Sequence, residues 1–218
     1  MNFWEIAPGD DLDRELTPAV RTLLRGGIIV YPTETLYGLG AFPFSRIAVD
    51  QVHALKQRER GKPLPLIADR PEAVRKITRA WPEAAERLAA AFWPGPLSLI
   101  LDAAEELPAA ITAGTGQIAV RVSSHPIARD LAARLGGLIV STSANLSGEA
   151  PCRDPKRLTP ALLAGIDGLV DGGILPERPP STLVRIDPGT GTGRITVVRP
   201  GAVTITAIER VLGPMARS

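Results

Sequence analysis

Short apolar runs alternate with helix-like stretches along most of the chain, and this alternation limits the folds open to it. Residues 13–25 have helical periodicity and end at Gly26-Gly27, and the apolar run 28–31 follows at once. Further short apolar runs lie at 64–68, 97–101, 118–122 and 138–140. Runs of this length are typical of buried strands, and strands that alternate with helices are typical of α/β domains. We therefore expect an α/β fold with a twisted, mixed sheet flanked by helices.

The second half of the chain adds strands that follow one another without a helix between them. The runs 182–186 and 195–198 are separated by the glycine-rich stretch 189–193, which predicts a hairpin loop. A final helix is predicted over 204–212. No internal repeat and no long linker divides the sequence, so we expect one domain over residues 1–218.

Several helix starts carry their own signals. Ser45 is a suitable N-cap for a helix over 46–55, whose apolar side chains lie on one face. Helix starts are also predicted at Pro71, at Pro126 and at Asp154-Pro155, because proline is favoured in the first turn.

Composition excludes several classes of protein. The formal net charge of +2 is too small for a basic coat that binds nucleic acid. A local cluster of cations could still attract an anionic ligand. Aromatic residues are only 4% of the chain, so platforms that stack single-stranded bases are scarce. The single cysteine excludes an intramolecular disulfide and a multi-cysteine zinc site.

The sequence also indicates where the protein is found. The N-terminal residues have neither the basic nor the apolar segment of a signal peptide. No apolar run approaches the ~20 residues that a membrane span needs. A single cysteine is compatible with a reducing compartment. We expect a cytoplasmic protein with no membrane partner.

Three polar segments are the candidates for a binding site. The segments 32–40 (PTETLYGLG) and 141–148 (STSANLSG) each follow a predicted strand, where open α/β sheets bind ligands. The segment 56–63 (KQRERGKP) has four cations and one anion and would suit a polyphosphate. Taken singly, the first segment is slightly more typical of a polar turn, and the charge run is more often a solvated loop. The third segment is also compatible with an ordinary turn.

Familiar catalytic signatures are absent from the sequence. It contains neither the phosphate-binding pattern Gly-x-x-x-x-Gly-Lys-Ser/Thr nor a Gly-x-Ser-x-Gly nucleophile elbow. The two histidines, His53 and His125, belong to no metal-ligand pattern.

Seven segments in one order carry a family resemblance. They are PTETLYGLG at 32–40, the KxR…KPL stretch at 56–64, WPGPLSLIL at 93–101, AVRVSSHP at 119–126, STSANLSG at 141–148, PSTLVRI at 180–186 and VVRPGAV at 197–203. Together they resemble the YrdC-like domain of threonylcarbamoyl-AMP synthases. The resemblance covers about residues 28–203, and the chain is similar to the short form of that family.

The resemblance implies a reaction and a shape. L-threonine, bicarbonate or CO2, and ATP would give threonylcarbamoyl-adenylate and pyrophosphate. The product would pass to a separate tRNA threonylcarbamoyl-transferase complex, which modifies an adenosine in tRNAs, and direct contact with tRNA is a further expectation. The family fold implies a large, concave, positively charged cavity.

The resemblance also implies the roles of individual residues. Threonine would contact Thr35, Arg121 and Ser181. ATP would contact Lys56, Arg58, Lys62, Gln117, Ser141, Ser143 and Arg199. Catalysis, which is mainly positioning and charge neutralisation, would rest on Lys56, Arg58 and Ser143. Mg²⁺ would accompany ATP and be held mainly by ATP oxygens and water, so no metal-ligating residue is predicted.

Two positions depart from the family pattern. Some members have a histidine that touches threonine shortly after the KPL segment, where this chain has Leu66-Ile67-Ala68. Some members have asparagine where Lys62 stands, so the phosphate cluster here would have an additional cation.

Two other functions stay open at this point. The same basic cavity could bind the phosphate backbone of RNA, and such binding would weaken steeply with salt. The chain could also be a carbamoyl-transfer module like the related domain of hydrogenase maturation proteins. Those proteins have zinc-finger and acylphosphatase regions, which this sequence lacks.

Overall fold

Two mixed sheets form the framework of the residues that this computed structural model describes, which are 1–57, 61–187 and 194–214. The strands are β1 (Asn2–Glu5), β2 (Ile29–Pro32), β3 (Tyr37–Gly40), β4 (Leu66–Ala68), β5 (Leu97–Asp102), β6 (Gln117–Val122), β7 (Leu138–Val140), β8 (Thr142–Ser143), β9 (Gly168–Asp171), β10 (Thr182–Asp187) and β11 (Arg194–Arg199). The helices are α1 (Leu12–Leu24), α2 (Arg46–Lys56), α3 (Pro71–Lys76), α4 (Glu83–Phe92), α5 (Ala109–Thr112), α6 (Pro126–Arg134), α7 (Pro160–Ala164) and α8 (Ile205–Leu212).

The strands divide between a five-stranded and a six-stranded sheet. The five-stranded sheet has the order β1-β9-β2-β3-β8, and the six-stranded sheet has the order β11-β10-β5-β6-β4-β7. Each sheet contains parallel and antiparallel pairs; for example, β10 runs parallel to β5, whereas β5 runs antiparallel to β6. The expected α/β class with mixed strand pairing and flanking helices is confirmed, but the strands form two sheets where one was predicted.

One short segment joins the two sheets. Strand β7 of the six-stranded sheet ends at Val140, and β8 of the five-stranded sheet begins at Thr142. Ser141 lies between them and donates its backbone N–H to the carbonyl of Pro65 at 2.8 Å. The backbone N–H of Val140 donates to the carbonyl of Ala41 at 3.0 Å. These bonds fix the polar segment that follows β7 at the junction of the two sheets.

The predicted helix signals act as expected. The Ser45 hydroxyl accepts from the backbone N–H of Ala48 at 3.3 Å, so it satisfies one of the donors that a helix start leaves unpaired. Pro71 and Pro126 each begin a helix. Asp154 caps a single 3-10 turn over Pro155–Arg157, so the helix start predicted there does not lead into an α-helix.

The segment 32–40 contains the loop of a β-hairpin and its second strand. Its second half forms β3, which pairs with β2 so that Tyr31 lies opposite Gly38. A Cβ atom at Gly40 would come within 2.6 Å of the Tyr31 ring, so glycine allows the ring to lie against the strand. Glycines weaken the sequence signal of a strand, which explains why this one was not predicted.

Apolar packing holds the helices on the sheets. Helices α1 and α6 pack together through Leu16, Leu23 and Leu131, against Tyr31 of β2. A larger cluster contains the apolar faces of the six-stranded sheet and of α2 and α4. The predicted loop at 189–193 lies outside the described residues. Within the ranges that the structure describes, no helix is both long and apolar enough to cross a membrane.

Candidate active site

A cavity of about 680 Å³ lies where the two sheets meet, a volume typical of small-molecule sites. Hydroxyl groups of serine and threonine line much of it. Four cations among the described residues also line it: Lys62, Arg121, Arg185 and Arg199. Among the described lining residues there is no aspartate or glutamate. A lining of this kind suits a ligand with several negative charges.

The alternation of strands explains which side chains reach the cavity. Every second residue of a strand points to the same face of a sheet. The lining residues Gln117, Ala119 and Arg121 alternate along β6, and Leu183 and Arg185 alternate along β10. One face of the six-stranded sheet therefore forms the floor of the cavity.

The loop between β2 and β3 supplies a hydroxyl-rich wall. Thr33 and Thr35 are both buried and line the cavity. Their hydroxyl oxygens lie 3.2 Å apart, and the Thr33 hydroxyl also donates to the carbonyl of Leu36 at 2.6 Å. These bonds hold the loop in one shape, so the Thr35 hydroxyl has a defined position.

Arg121, which lines the cavity, forms a buried ion pair with Glu34. Glu34 Oε1 lies 3.1 Å from Arg121 Nε, and the two side chains are only 6% and 11% exposed. Neither atom makes an aligned hydrogen bond, so charge is what holds this contact. The other Glu34 oxygen accepts from the hydroxyl of Ser123, which is fully buried.

Arg199 and Ser181 form a second polar group at the exposed edge of the cavity. Arg199 Nη2 donates to the carbonyl of Ser181 at 2.9 Å and to its hydroxyl at 3.1 Å. The hydroxyl of Ser98 donates to the same serine at 3.1 Å. Partial burial lowers the pKa of the Arg199 guanidinium, and the nearby charge of Arg121 lowers it further. Both guanidinium groups line the same cavity.

Lys56 supports the loop after β8 instead of lining the cavity. Its ammonium donates to the carbonyls of Ser143 and Asn145, both at 2.7 Å. It also lies 3.0 Å from Asn145 Oδ1 and 3.2 Å from the Ser143 hydroxyl. Because Lys56 is only 3% exposed, the structure indicates that it fixes Ser143 from behind. A direct contact of Lys56 with ATP phosphates stays a prediction.

The cavity gathers most of the residues predicted for the site. Those that line it are Thr35, Lys62, Gln117, Arg121, Ser141, Ser143, Ser181 and Arg199. Lys56 lies behind the lining, and Arg58 lies outside the described residues. With Ser98 from the segment 93–101, all seven sequence segments supply side chains to the cavity.

Several residues of the site were not predicted, and three of them are charged or contact a charged residue. Glu34 contacts Arg121, Asn145 contacts Lys56, and Arg185 lines the cavity. Arg185 Nε is buried and makes no hydrogen bond within the described residues. All three lie inside recognised segments, but their roles depend on contacts made across the fold.

The edge where some family members have a histidine is apolar in this chain. Leu66, Ile67 and Ala68 form β4, and all three are buried. In register, Ile67 lies beside Arg121 of β6. Over the described part of the chain, no three His, Cys, Asp or Glu side chains come together as a protein metal site would need.

Comparison with known proteins places this arrangement in a family. A sequence profile for Sua5/YciO/YrdC, described as telomere recombination, matches residues 21–201. Threonylcarbamoyl-AMP synthase of Coxiella burnetii (strain RSA 493 / Nine Mile phase I) is 39% identical over 176 residues, which are 80% of this chain and 94% of the relative. The protein of that name from Stenotrophomonas maltophilia (strain K279a) is 43% identical over 163 residues, 73% of this chain and 88% of the relative.

A solved structure is similar over almost the whole chain. The crystal structure of P. abyssi Sua5 complexed with L-threonine superposes with a TM-score of 0.91 at 29% sequence identity. The match covers 99% of this chain and 62% of that one, so this chain spans about three fifths of the solved protein.

Proposed function

The chain belongs to the Sua5/YciO/YrdC family, and from this premise we propose that it is a threonylcarbamoyl-AMP synthase. Curated relatives of that name align with this chain over most of their own length. The observation in this chain that carries the proposal is the cavity in which the carboxylate-backed Arg121 lies with serine and threonine hydroxyls. Such a cavity suits a small amino acid together with a polyanionic nucleotide.

The reaction joins three small molecules. The threonine amine loses a proton, and its nitrogen bonds to the carbon of CO2 to give a carbamate. A carbamate oxygen then bonds to the α-phosphorus of ATP, the bond from that phosphorus to the bridging oxygen breaks, and pyrophosphate leaves. Because both reacting partners are negatively charged, the protein has mainly to orient them and neutralise their charge.

We assign the threonine end of the cavity to Arg121, Thr35 and Ser181. Arg121 would pair with the α-carboxylate, since a guanidinium binds a carboxylate through two parallel hydrogen bonds. Thr35 follows Glu34, which contacts Arg121, so its hydroxyl has a fixed relation to that guanidinium. Ser181 is held by Arg199 and Ser98 and offers a further oriented hydroxyl.

We assign the nucleotide end to the cations and hydroxyls that line the rest of the cavity. These residues are Lys62, Gln117, Ser141, Ser143, Arg185 and Arg199. The absence of carboxylates from the described lining supports this assignment, because ATP has several negative charges. Lys56 would act through Ser143 by fixing its position, and Arg58 keeps its predicted phosphate contact.

Mg²⁺ enters the proposal as the counter-ion of ATP. The described cavity lining offers hydroxyls but no carboxylate, and carboxylates are the protein ligands that Mg²⁺ usually takes. We therefore propose that phosphate oxygens and water hold the ion. Its chemistry would be to offset the charge of the triphosphate.

The product determines what kind of reaction must follow. Threonylcarbamoyl-adenylate is a mixed anhydride, and so it is an activated donor that a nucleophile consumes with release of AMP. We propose that a separate tRNA threonylcarbamoyl-transferase complex performs this transfer in the cytoplasm. The small net charge favours transfer of the released product over tight binding of tRNA to this chain.

Pyrophosphate release by the purified protein tests the proposal. The assay contains ATP, Mg²⁺ and bicarbonate, with L-threonine, L-serine, L-valine or no amino acid. We expect release that requires both bicarbonate and threonine. Release that is equal without threonine would contradict the proposal, and RNA affinity that falls steeply with salt would favour the RNA-binding alternative.

A further inference from the structure

Glu34 is a buried charged residue at the cavity that the proposed reaction does not use. Its side chain is only 6% exposed, and it lies in the loop between β2 and β3. A carboxylate is costly to remove from water unless nearby charges and hydrogen-bond donors offset the loss. Burial of the Glu34 carboxylate therefore requires compensating contacts.

Two contacts fix the direction of this carboxylate. Oε1 faces Arg121 Nε, and Oε2 accepts from the Ser123 hydroxyl. The Ser123 oxygen in turn accepts from the backbone N–H of His125 at 3.1 Å. Both partners come from one chain segment, because Arg121 lies near the end of β6 and Ser123 directly follows that strand.

Glu34 stands behind Arg121 when seen from the cavity. Arg121 is among the cavity-lining residues, whereas Glu34 is not. The carboxylate faces the Nε edge of the guanidinium. Within the described residues, no protein acceptor takes a hydrogen bond from the terminal nitrogens of Arg121. The end of the side chain that can bind a carboxylate in two places is thus left for a ligand.

The neighbouring charges make such support necessary. Arg199 lies close enough for the charge of Arg121 to lower its pKa. Without a carboxylate behind it, Arg121 would be repelled by this second guanidinium and would lose its only described charged partner. The ion pair counters both effects at the same time.

We propose that Glu34 is the positioning residue for Arg121, which it holds in the orientation that receives the α-carboxylate of the amino-acid substrate. This inference rests on the proposed function. From charge balance alone, removal of the negative charge of Glu34 would strengthen the binding of an anionic substrate. If Glu34 orients Arg121, the same removal weakens that binding.

The test measures the affinities of L-threonine and L-threoninamide by calorimetry. Threoninamide keeps the amine and the hydroxyl but has no α-carboxylate. The variants are Glu34→Gln, which keeps the length of the side chain, and Glu34→Asp, which keeps the charge. Glu86→Gln is the matched control, because Glu86 also pairs with an arginine but lies on the surface, with its side chain 51% exposed.

We expect Glu34→Gln to weaken threonine binding about tenfold and to change threoninamide binding less than about twofold, since only the charged contact is lost. Glu34→Asp should recover part of the loss, and Glu86→Gln should match the wild type. If Glu34→Gln does not fold, the threonine-selective loss is read from Glu34→Asp. Equal weakening of both ligands, unchanged binding or tighter threonine binding would overturn the inference.

The proposed function fails in a different way. If the wild type neither binds threonine nor releases pyrophosphate with it, the function itself is wrong. If the wild type does both and Glu34→Gln behaves like the wild type, only the role of Glu34 is wrong.

Discussion

Lys56 and Arg121 are two buried cations that the fold treats differently. Among the described residues, the Lys56 ammonium donates to four acceptors of one loop, the carbonyls and side-chain oxygens of Ser143 and Asn145. Arg121 has a single described charged partner, Glu34, and it faces the cavity. An ammonium has three N–H donors, so four acceptors fully engage it, whereas a guanidinium has more donors than one carboxylate contact uses.

The contacts of the two cations indicate different roles: Lys56 supports the fold, and Arg121 recognises a ligand. A cation whose donors are taken up by backbone carbonyls shapes the chain, and Lys56 shapes the loop that bears Ser143. A cation held along one edge by a carboxylate has an oriented free end, and Arg121 points that end into a cavity. Burial alone would not distinguish the two residues, since both are largely buried.

The largest expected effect comes from loss of the recognising cation. Arg121→Gln should raise the KM for threonine about 100-fold, because a charge-assisted pair contributes about 1.5–3 kcal/mol. The KM for ATP should change much less. Steady-state pyrophosphate release with each substrate varied in turn checks this.

The same variant should also lose stability, because it leaves Glu34 as an unpaired buried carboxylate. Breaking a buried pair costs about 3–5 kcal/mol of unfolding free energy, measured by urea denaturation. The double variant Glu34→Gln/Arg121→Gln should regain much of that stability without regaining threonine affinity. Recovery of both properties together would show that Arg121 acts only on the fold.

Loss of the supporting cation should affect both substrates instead of threonine alone. Lys56→Met leaves the carbonyls of Ser143 and Asn145 without their donor and should lower the unfolding free energy by about 1–3 kcal/mol. The KM values for ATP and threonine should rise together, because the loop at the junction of the sheets is no longer held. An increase confined to ATP would mean that Lys56 contacts the phosphates directly.

A smaller effect is expected at Arg185, the cavity cation that lies on β10. Arg185→Gln should raise the KM for ATP about tenfold and leave that for threonine within about twofold, since one neutralising charge is lost. The control is Arg194→Gln, because Arg194 lies on the adjacent β11 but is exposed and does not line the cavity. Equal effects of the two variants would remove Arg185 from the site.

Local signals were enough to predict much of the framework. The apolar runs at 97–101 and 138–140 became β5 and β7, and the Ser45 cap begins α2. These features depend on residues that are neighbours in sequence, so periodicity and cap chemistry find them. Strand β3 was not predicted, because its glycines weaken the strand signal. Their reason is the Tyr31 ring, which only the fold brings against the strand.

The site was predictable as a set of segments but not as a set of contacts. The lining residues Thr35, Ser141 and Arg199 were expected, and the cavity brings them together. The partners of Lys56 are 87 and 89 positions away in sequence, and Ser123 reaches Glu34 over 89 positions. No spacing rule finds such contacts, so Glu34 and Asn145 became visible only in three dimensions.

The smallest expected effect comes from an exposed ion pair, which sharpens the contrast with Arg121. Hydrogen bonds from Trp81 and then Arg75 lower the pKa of Glu86. The stability that this carboxylate contributes is therefore present above its unfolded pKa and is lost as pH falls through the lowered folded pKa. Because the pair is exposed, that contribution is small.

Urea denaturation of the wild type and Glu86→Gln at two pH values measures this contribution. The two proteins should differ slightly near neutral pH and should converge as the pH falls through the lowered folded pKa of Glu86. A difference that grows on acidification would contradict this sign.

The most direct test of the central claim is isotopic labelling of the product. The protein is incubated with ATP, Mg²⁺, L-threonine and ¹³C-bicarbonate, and the adenylate is isolated at once and analysed by mass spectrometry. We predict a threonylcarbamoyl-adenylate that contains the ¹³C atom, formed together with pyrophosphate and reduced strongly by Arg121→Gln. An adenylate without the label, or an unchanged yield with serine in place of threonine, would contradict the account.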